Sequence, residues 1–256
     1  MRTYATNAGS ELLCYEYYKW IFYWNYVIEY ANFNSRAAYN AELTSDGYRQ
    51  GGLGPGVTDW NNSSTNWSGY NGTYPLTPCG YCNDIGNFTG VKDLVIPECT
   101  ATGGTTVATH TFKVPRWRGF DNPFGDIWTN LDGIVIQRTS ANEISSVYTT
   151  TNKEEFTDVI GNKTIAGYEV AKDGYIKEFD LGETAEIIPS SCTGASTVTY
   201  MCDYHYCNVS STALRTLLVG GNAYSGSYAG LDCFYSNYSV GVADSNVGFR
   251  TLNRVS

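Results

Sequence analysis

A chain of 256 residues has room for one large domain or two modest ones, and its formal net charge of -9 leaves no basic face for nucleic acid or an anionic membrane. Charged residues are only 16% and hydrophobic residues 42%, with 27 glycines and 22 tyrosines, which excludes long charged helices and favours turns and aromatic surface. No run approaches the eighteen or so apolar residues of a membrane helix, so no membrane insertion is expected.

Residues 1–10 (MRTYATNAGS) lack the apolar core of a signal peptide, and a start straight into folded-looking sequence is compatible with this being the C-terminal part of a longer chain. Ser10 is a plausible N-cap for "SELLCYEYYKWIFYWNYVIEYANF". Leu12, Leu13, Trp20, Trp24, Val27 and Ala31 recur at helical steps, which predicts an amphipathic helix with these residues on its core face. A second helix is expected in "NSRAAYNAEL", capped by Asn34 or Ser35. The helical pair occupies 8–45, with its tyrosines and tryptophans read as packing rather than ligand stacking.

Residues 46–91 are rich in Gly, Asn, Ser and Pro and far longer than an ordinary loop. Tyr48, Trp60, Trp67, Tyr70 and Tyr74 point to an ordered coil layered on the core. Strands are expected over 92–97, 110–119, 132–139, 166–171, 174–179, 185–190 and 214–221, with a turn and linker at 102–109 and a short helix at 152–160 capped by Asn152. Helices followed by many short strands give an α+β class, read as a single domain over 1–256.

Conventional chemistry finds little support. Cys79-Gly80-Tyr81-Cys82 and the run from Cys202 through His205 to Cys207 have the residue types of a zinc site, but the CxxC lies in glycine-rich coil without the helix N-terminus of a redox motif. The eight cysteines are spread thinly and read first as buried thiols rather than as a disulfide framework. His110 and His205 are the two histidines, and no nucleophile elbow, phosphate loop or zinc-protease motif accompanies them. No carboxylates are spaced as a catalytic pair or a calcium loop, so neither a catalytic residue nor a cofactor is assigned.

Two stretches carry a resemblance. "NPFGDIWTNLDGI" (Asn122, Gly125, Asp126, Ile127, Trp128) and "RTLLVGGNAY…NVGFR" (Arg215, Gly220, Gly221, Gly248, Phe249, Arg250) resemble the signatures of C-type-lectin-like domains of the formylglycine-generating-enzyme type. The likeness covers about residues 115–256. The N-terminal half, "VIEYANFNSRAAYNAELTSDGYRQGGLGPGVT" with its "PCGY" segment, resembles proteins of tailed, crAss-like phages of Bacteroidales. The implied fold is C-type-lectin-like, with an N-terminal helical pair, short twisted antiparallel strands and much irregular coil. Trp128 would be a core anchor, Gly220-Gly221 a sharp turn, and Phe249 with Arg250 would pin the last strand.

Copper-dependent oxidation, one activity within that family, needs two cysteines between the Gly-Gly and the Gly-Phe-Arg. This chain has Cys233 alone there, with Cys202 and Cys207 lying earlier. The other branch comprises phage receptor-binding proteins and the variable proteins of diversity-generating retroelements, in which this segment is the binding surface. Diversification at adenines of Asn codons cannot yield Lys, Glu, Gln, Met or Trp, and residues 222–247 contain none of them.

The resemblance implies a display coil over 222–247, with Asn222, Tyr224, Ser225, Ser227, Tyr228, Asp232, Phe234, Tyr235, Asn237 and Tyr238 as ligand contacts. Tyrosine offers contact area at low entropic cost, while Ser, Gly and Asn supply adaptable hydrogen bonds. The expected protein is a non-enzymatic receptor-binding protein on a virion surface, as a tail or head fibre, or alternatively on a bacterial cell surface. Its expected partners are a bacterial surface protein or glycan, other virion proteins and two further copies of itself in a trimer. A fibre or capsid-decorating subunit without receptor binding is the alternative, and a copper-dependent oxidase a more distant one.

Overall fold

A computed structural model describes residues 1–31, 43–44, 47–48, 80–99, 106–124, 127–193, 203–222, 225, 228–244 and 246–252. Helix α1 (Arg2–Asn7) leads into strand β1 (Glu11–Leu12), which pairs antiparallel with β17 (Thr251–Leu252) and so ties the two ends of the described chain together. The long helix expected from Ser10 begins later, as α2 (Tyr15–Tyr18), continues through a π-helical segment over Lys19–Trp24 and ends as α3 (Asn25–Tyr30). Leu12 and Leu13 belong to the extended stretch before it, where the Leu13 amide donates to the Arg250 carbonyl.

The buried stripe of this helix also differs from the expected one. Tyr15, Tyr18, Lys19, Phe22, Tyr23 and Tyr26 are buried, whereas Trp20 turns outward. Hydropathy ranks Trp and Val above Tyr, yet a tyrosine packs its ring in the core when its hydroxyl finds a partner. Tyr15 donates to the Ile187 carbonyl at 3.1 Å, and Tyr18 to that of Leu231 at 2.9 Å. Residues 32–42 of the expected second helix, and 49–79 of the expected ordered coil, lie outside the described residues. Leu43, read as the end of that helix, instead forms β2 (Leu43–Thr44), which pairs with β3 (Gly47–Tyr48).

The remainder is mixed α+β dominated by strands. A 3₁₀ turn over Asn83–Ile85 precedes a sheet of β4 (Gly90–Cys99), β5 (Thr106–Trp117) and β6 (Phe120–Asp121). Strand β7 (Trp128–Asn130) joins the large sheet, while β8 (Ile134–Arg138), β9 (Ser145–Thr149) and β10 (Thr164–Glu169) form an antiparallel sheet of three. Between β9 and β10 lies the expected short helix, shortened to a 3₁₀ turn over Lys153–Glu155, where the Asn152 side chain accepts the Glu154 amide.

Then follow β11 (Gly174–Leu181), β12 (Ile187–Cys192), β13 (Tyr204–Cys207), β14 (Leu218–Gly220), β15 (Gly230–Ser236) and β16 (Val247–Gly248). The seven-stranded sheet runs β12-β11-β13-β15-β14-β7-β16, and two of its neighbouring pairs, β13 with β15 and β16 with β7, are parallel rather than antiparallel.

One face of this sheet carries Ile176, Ile187, Val219 and Phe234 into the main core, together with Phe22, Tyr23 and Tyr26 of the helix. Gly220 and Gly221 have φ of +87° and +78°, and a Cβ at Gly221 would stand 2.4 Å from that of Ala229. The expected sharp turn is there, and only glycine fits it. Trp128 is buried, and Arg250 donates from its guanidinium to the carbonyls of Asp121 and Asn122.

Candidate ligand-binding face

The stretch read as a display coil is divided by the fold. Gly230–Ser236 forms β15, an inner strand of the large sheet flanked by β13 and β14. Phe234, Asp232 and Asn222 are buried, so these three are corrected from ligand contacts to interior residues. Phe234 fills the main core. The Asp232 amide donates to Asp203 Oδ2 at 2.8 Å, and burial with the Asp203 charge pushes the Asp232 pKa well above the usual carboxylate range. Asn222 is turned into a local loop, where its Oδ1 accepts the Ser225 hydroxyl at 2.8 Å. Tyr224 and Ser227 lie outside the described residues.

The remaining expected residues meet others that were not expected. Side chains alternate across a strand, so Tyr204 and Tyr206 of β13 share one face, and the parallel register sets Tyr206 opposite Tyr235 of β15. Tyr175 on β11 extends the row on one side and Trp128 on β7 on the other. Ring centroids stand 5.1 Å apart for Tyr175–Tyr204, 4.5 Å for Tyr204–Tyr206 and 4.9 Å for Tyr206–Tyr235. Trp128–Tyr235 and Tyr235–Tyr238 follow at 4.5 and 5.5 Å. Tyr228 lies against Tyr204 at 4.3 Å and is 39% exposed. Six tyrosines thus form one continuous aromatic surface, backed by the buried Trp128, on the side of the sheet away from the helix.

Packing underneath makes this surface rigid. Cys233, Leu218 and Val247 are buried with Trp128 in a satellite core, against which Tyr206, Tyr235 and Tyr238 rest. Asn237 donates to the Tyr235 hydroxyl at 3.1 Å, and Arg215 holds the Asn237 carbonyl at 2.8 Å. Burial raises the pKa of Tyr204, Tyr206, Tyr235 and Tyr238. Their hydroxyls are therefore protonated through the physiological range, each a donor and an acceptor on an apolar ring.

On the opposite side of the same strands lies a buried polar network. His205 Nε2 is 2.9 Å from Glu169 Oε1, its Nδ1 is 2.8 Å from the Lys172 carbonyl, and the Ser236 hydroxyl donates to the same Glu169 oxygen. With an acceptor at each ring nitrogen, the geometry suits a doubly protonated imidazolium. Burial opposes that charge, but hydrogen bonds with Cys192 and Glu169 and the Glu169 charge raise the His205 pKa to about 10. Arg138 Nη2 approaches Glu169 Oε2 at 3.8 Å, an ion pair too long for a hydrogen bond. Ser236 bonds to the carboxylate and not to the imidazole, so the trio lacks the nucleophile–base contact of a catalytic triad.

Cys82, Cys192 and Cys207 are buried thiols, and burial pushes the Cys207 pKa up to about 12, far from the activated range. Cys79 and Cys202, the other halves of the sequence motifs, lie outside the described residues. Among the described residues no group of three His, Cys, Asp or Glu side chains is placed to hold a metal ion. The pattern that could have revealed the face is the Tyr-His-Tyr alternation at 204–206, with Tyr175 and Tyr235 on neighbouring strands. No family model, curated protein or solved structure matches this chain.

Proposed function

We propose that the aromatic face binds a macromolecular ligand and that the chain is a receptor-binding protein of a virion surface, built on a C-type-lectin-like fold. One observation carries the binding reading: Tyr175, Tyr204, Tyr206, Tyr228, Tyr235 and Tyr238 are in ring contact, partly exposed, on a packed base that includes the buried Trp128. A surface of this kind gives large contact area for little loss of side-chain freedom, as in antibody combining sites. Its neutral hydroxyls and electron-rich rings suit a protein or a glycan. The virion setting, the trimer and the contacts with other virion proteins rest on the sequence resemblance, as does diversification of the segment.

The test is binding of the purified protein to intact Bacteroidales cells, compared with a Tyr204→Ala/Tyr228→Ala variant of unchanged circular dichroism. Loss of at least about tenfold in apparent affinity, or about 1.4 kcal/mol, is expected. Unchanged binding by the folded variant would remove the face from recognition. Absence of binding by either protein would favour a fibre or capsid-decorating subunit, whose mark is fixed stoichiometry on the particle.

A further inference from the structure

A second concave site lies on other elements. A cavity of about 290 Å³ opens between the first turn of α2, the β9–β10 hairpin and the turn joining β11 to β12. That volume is near the lower end of the ~300–1,000 Å³ usual for small-ligand sites. Its wall mixes polar residues, among them Glu16, Glu183, Glu186, Thr149, Thr151 and Thr164, with the apolar side chains of Tyr15, Ile165 and Ala166.

The wall is held firmly. Lys19, fully buried in the π-helical segment, places Nζ 2.7 Å from Glu16 Oε2, 3.4 Å from Glu186 Oε1 and 2.7 Å from the Thr184 carbonyl, clamping the helix to the β11–β12 turn. Burial works against ionised Glu186, yet hydrogen bonds from the Thr184 side chain and from backbone amides, with the Lys19 charge, hold its pKa below the usual range. One ammonium against three carboxylates leaves the cavity acidic. Glu16 of the wall also accepts the indole N–H of Trp20 at 2.7 Å, and Trp20, one helical turn on, is 45% exposed. A large, partly exposed ring is thus tethered to one of the carboxylates of the wall, whereas Tyr15, Tyr18, Phe22, Tyr23 and Tyr26 of the same helix are buried.

Fixed acceptors with an exposed aromatic plane match one ligand chemistry. The hydroxyls of a sugar ring bond to carboxylates and threonines, and its C–H face rests on the indole. We propose that this cavity is a second binding site, for a neutral or amine-bearing saccharide unit stacked on Trp20 and bonded by Glu16, Glu183 and the threonines. Uronic or sialic units are rejected by the three carboxylates.

Titration with methyl glycosides of glucose, galactose, mannose, N-acetylglucosamine and glucosamine tests this, followed by tryptophan fluorescence and saturation-transfer NMR, with methyl glucuronide as the anionic control. At least one neutral or amino glycoside is expected to bind with Kd of about 1 mM or tighter, and the glucuronide not to bind. Trp20→Ala should weaken binding roughly tenfold or more and Trp20→Phe much less, with Thr151→Val as an independent probe of the wall. Tyr228→Ala should leave it unchanged, which separates this site from the aromatic face. Binding to immobilised surface glycans as well identifies a cell-surface source, and binding to methyl glycosides alone a free one; either supports the site. Lack of saturation by every glycoside, or binding that survives Trp20→Ala in a folded variant, overturns it.

Discussion

Strands β13 and β15 present opposite chemistries on their two faces. Tyr204, Tyr206 and Tyr235 form the aromatic surface on one side, while His205, Phe234 and Ser236, their neighbours in sequence, are sealed on the other. The two-residue period of a strand makes this division, so a function can be placed on one face without weakening the packing of the other. The inner face should therefore answer to stability and the outer face to binding.

The largest effect is expected from breaking the inner face at its charge network. Glu169→Ala would leave the His205 imidazolium and Arg138 buried without their shared carboxylate, which costs about 3–5 kcal/mol. Equilibrium denaturation is the measurement; a loss under about 1 kcal/mol would mean that the pair is not ionised in the native state.

A second effect comes from pH. The His205 pKa is raised from 6.5 to about 10 on folding, so its contribution is present in full below 6.5 and is lost as pH rises towards 10. Asp232, also raised, acts in the same direction, its contribution fading as pH climbs from 3.8. Stability should fall between pH 6.5 and 10, by an amount on the order of a few kcal/mol. Denaturation midpoints across that range check the sign, and His205→Gln should flatten the slope.

The contrast between faces also explains what was legible in the sequence. Strands β4, β8, β11 and β12 were placed by alternating or continuous apolar runs, and Asn152 by its cap chemistry, because those signals are local. Strand β15 was hidden in "GGNAYSGSYAGLDCFYS" by small and polar residues whose reasons are tertiary. Gly230 is small because a Cβ there would meet Asp203 Oδ1 at 1.9 Å, and the buried Asp232 is held by its amide, which donates to the Asp203 carboxylate at 2.8 Å. Neither contact leaves a trace in the local pattern.

The helix face failed for a related reason. Its buried stripe is tyrosine-rich, and the partners that admit those hydroxyls are carbonyls more than 170 residues away, as the separations of 172 for Tyr15 and 213 for Tyr18 show. Composition marks the C-terminal segment as tyrosine-rich. It does not show that Tyr175, Tyr204 and Tyr206, from earlier strands, share a face with Tyr228, Tyr235 and Tyr238, because that sharing is set by strand pairing.

The smallest stability effect, and the sharpest division between the faces, is expected at Tyr228. It precedes β15, rests on Tyr175, Tyr204 and Tyr206 by ring contacts of 5.6, 4.3 and 6.0 Å, and is the most exposed of the described tyrosines on this face. Removal of a half-open ring from a surface that stays packed beneath should cost no more than about 1 kcal/mol of stability. The same change deletes an aromatic contact at the accessible edge of the proposed binding face, where single anchors contribute disproportionately to affinity. Tyr228→Ser should thus leave the thermal midpoint within a few degrees of the parent while reducing cell binding. A large drop in thermal midpoint would show that the outer rings are as structural as the inner ones, and the two faces would no longer be separable in function.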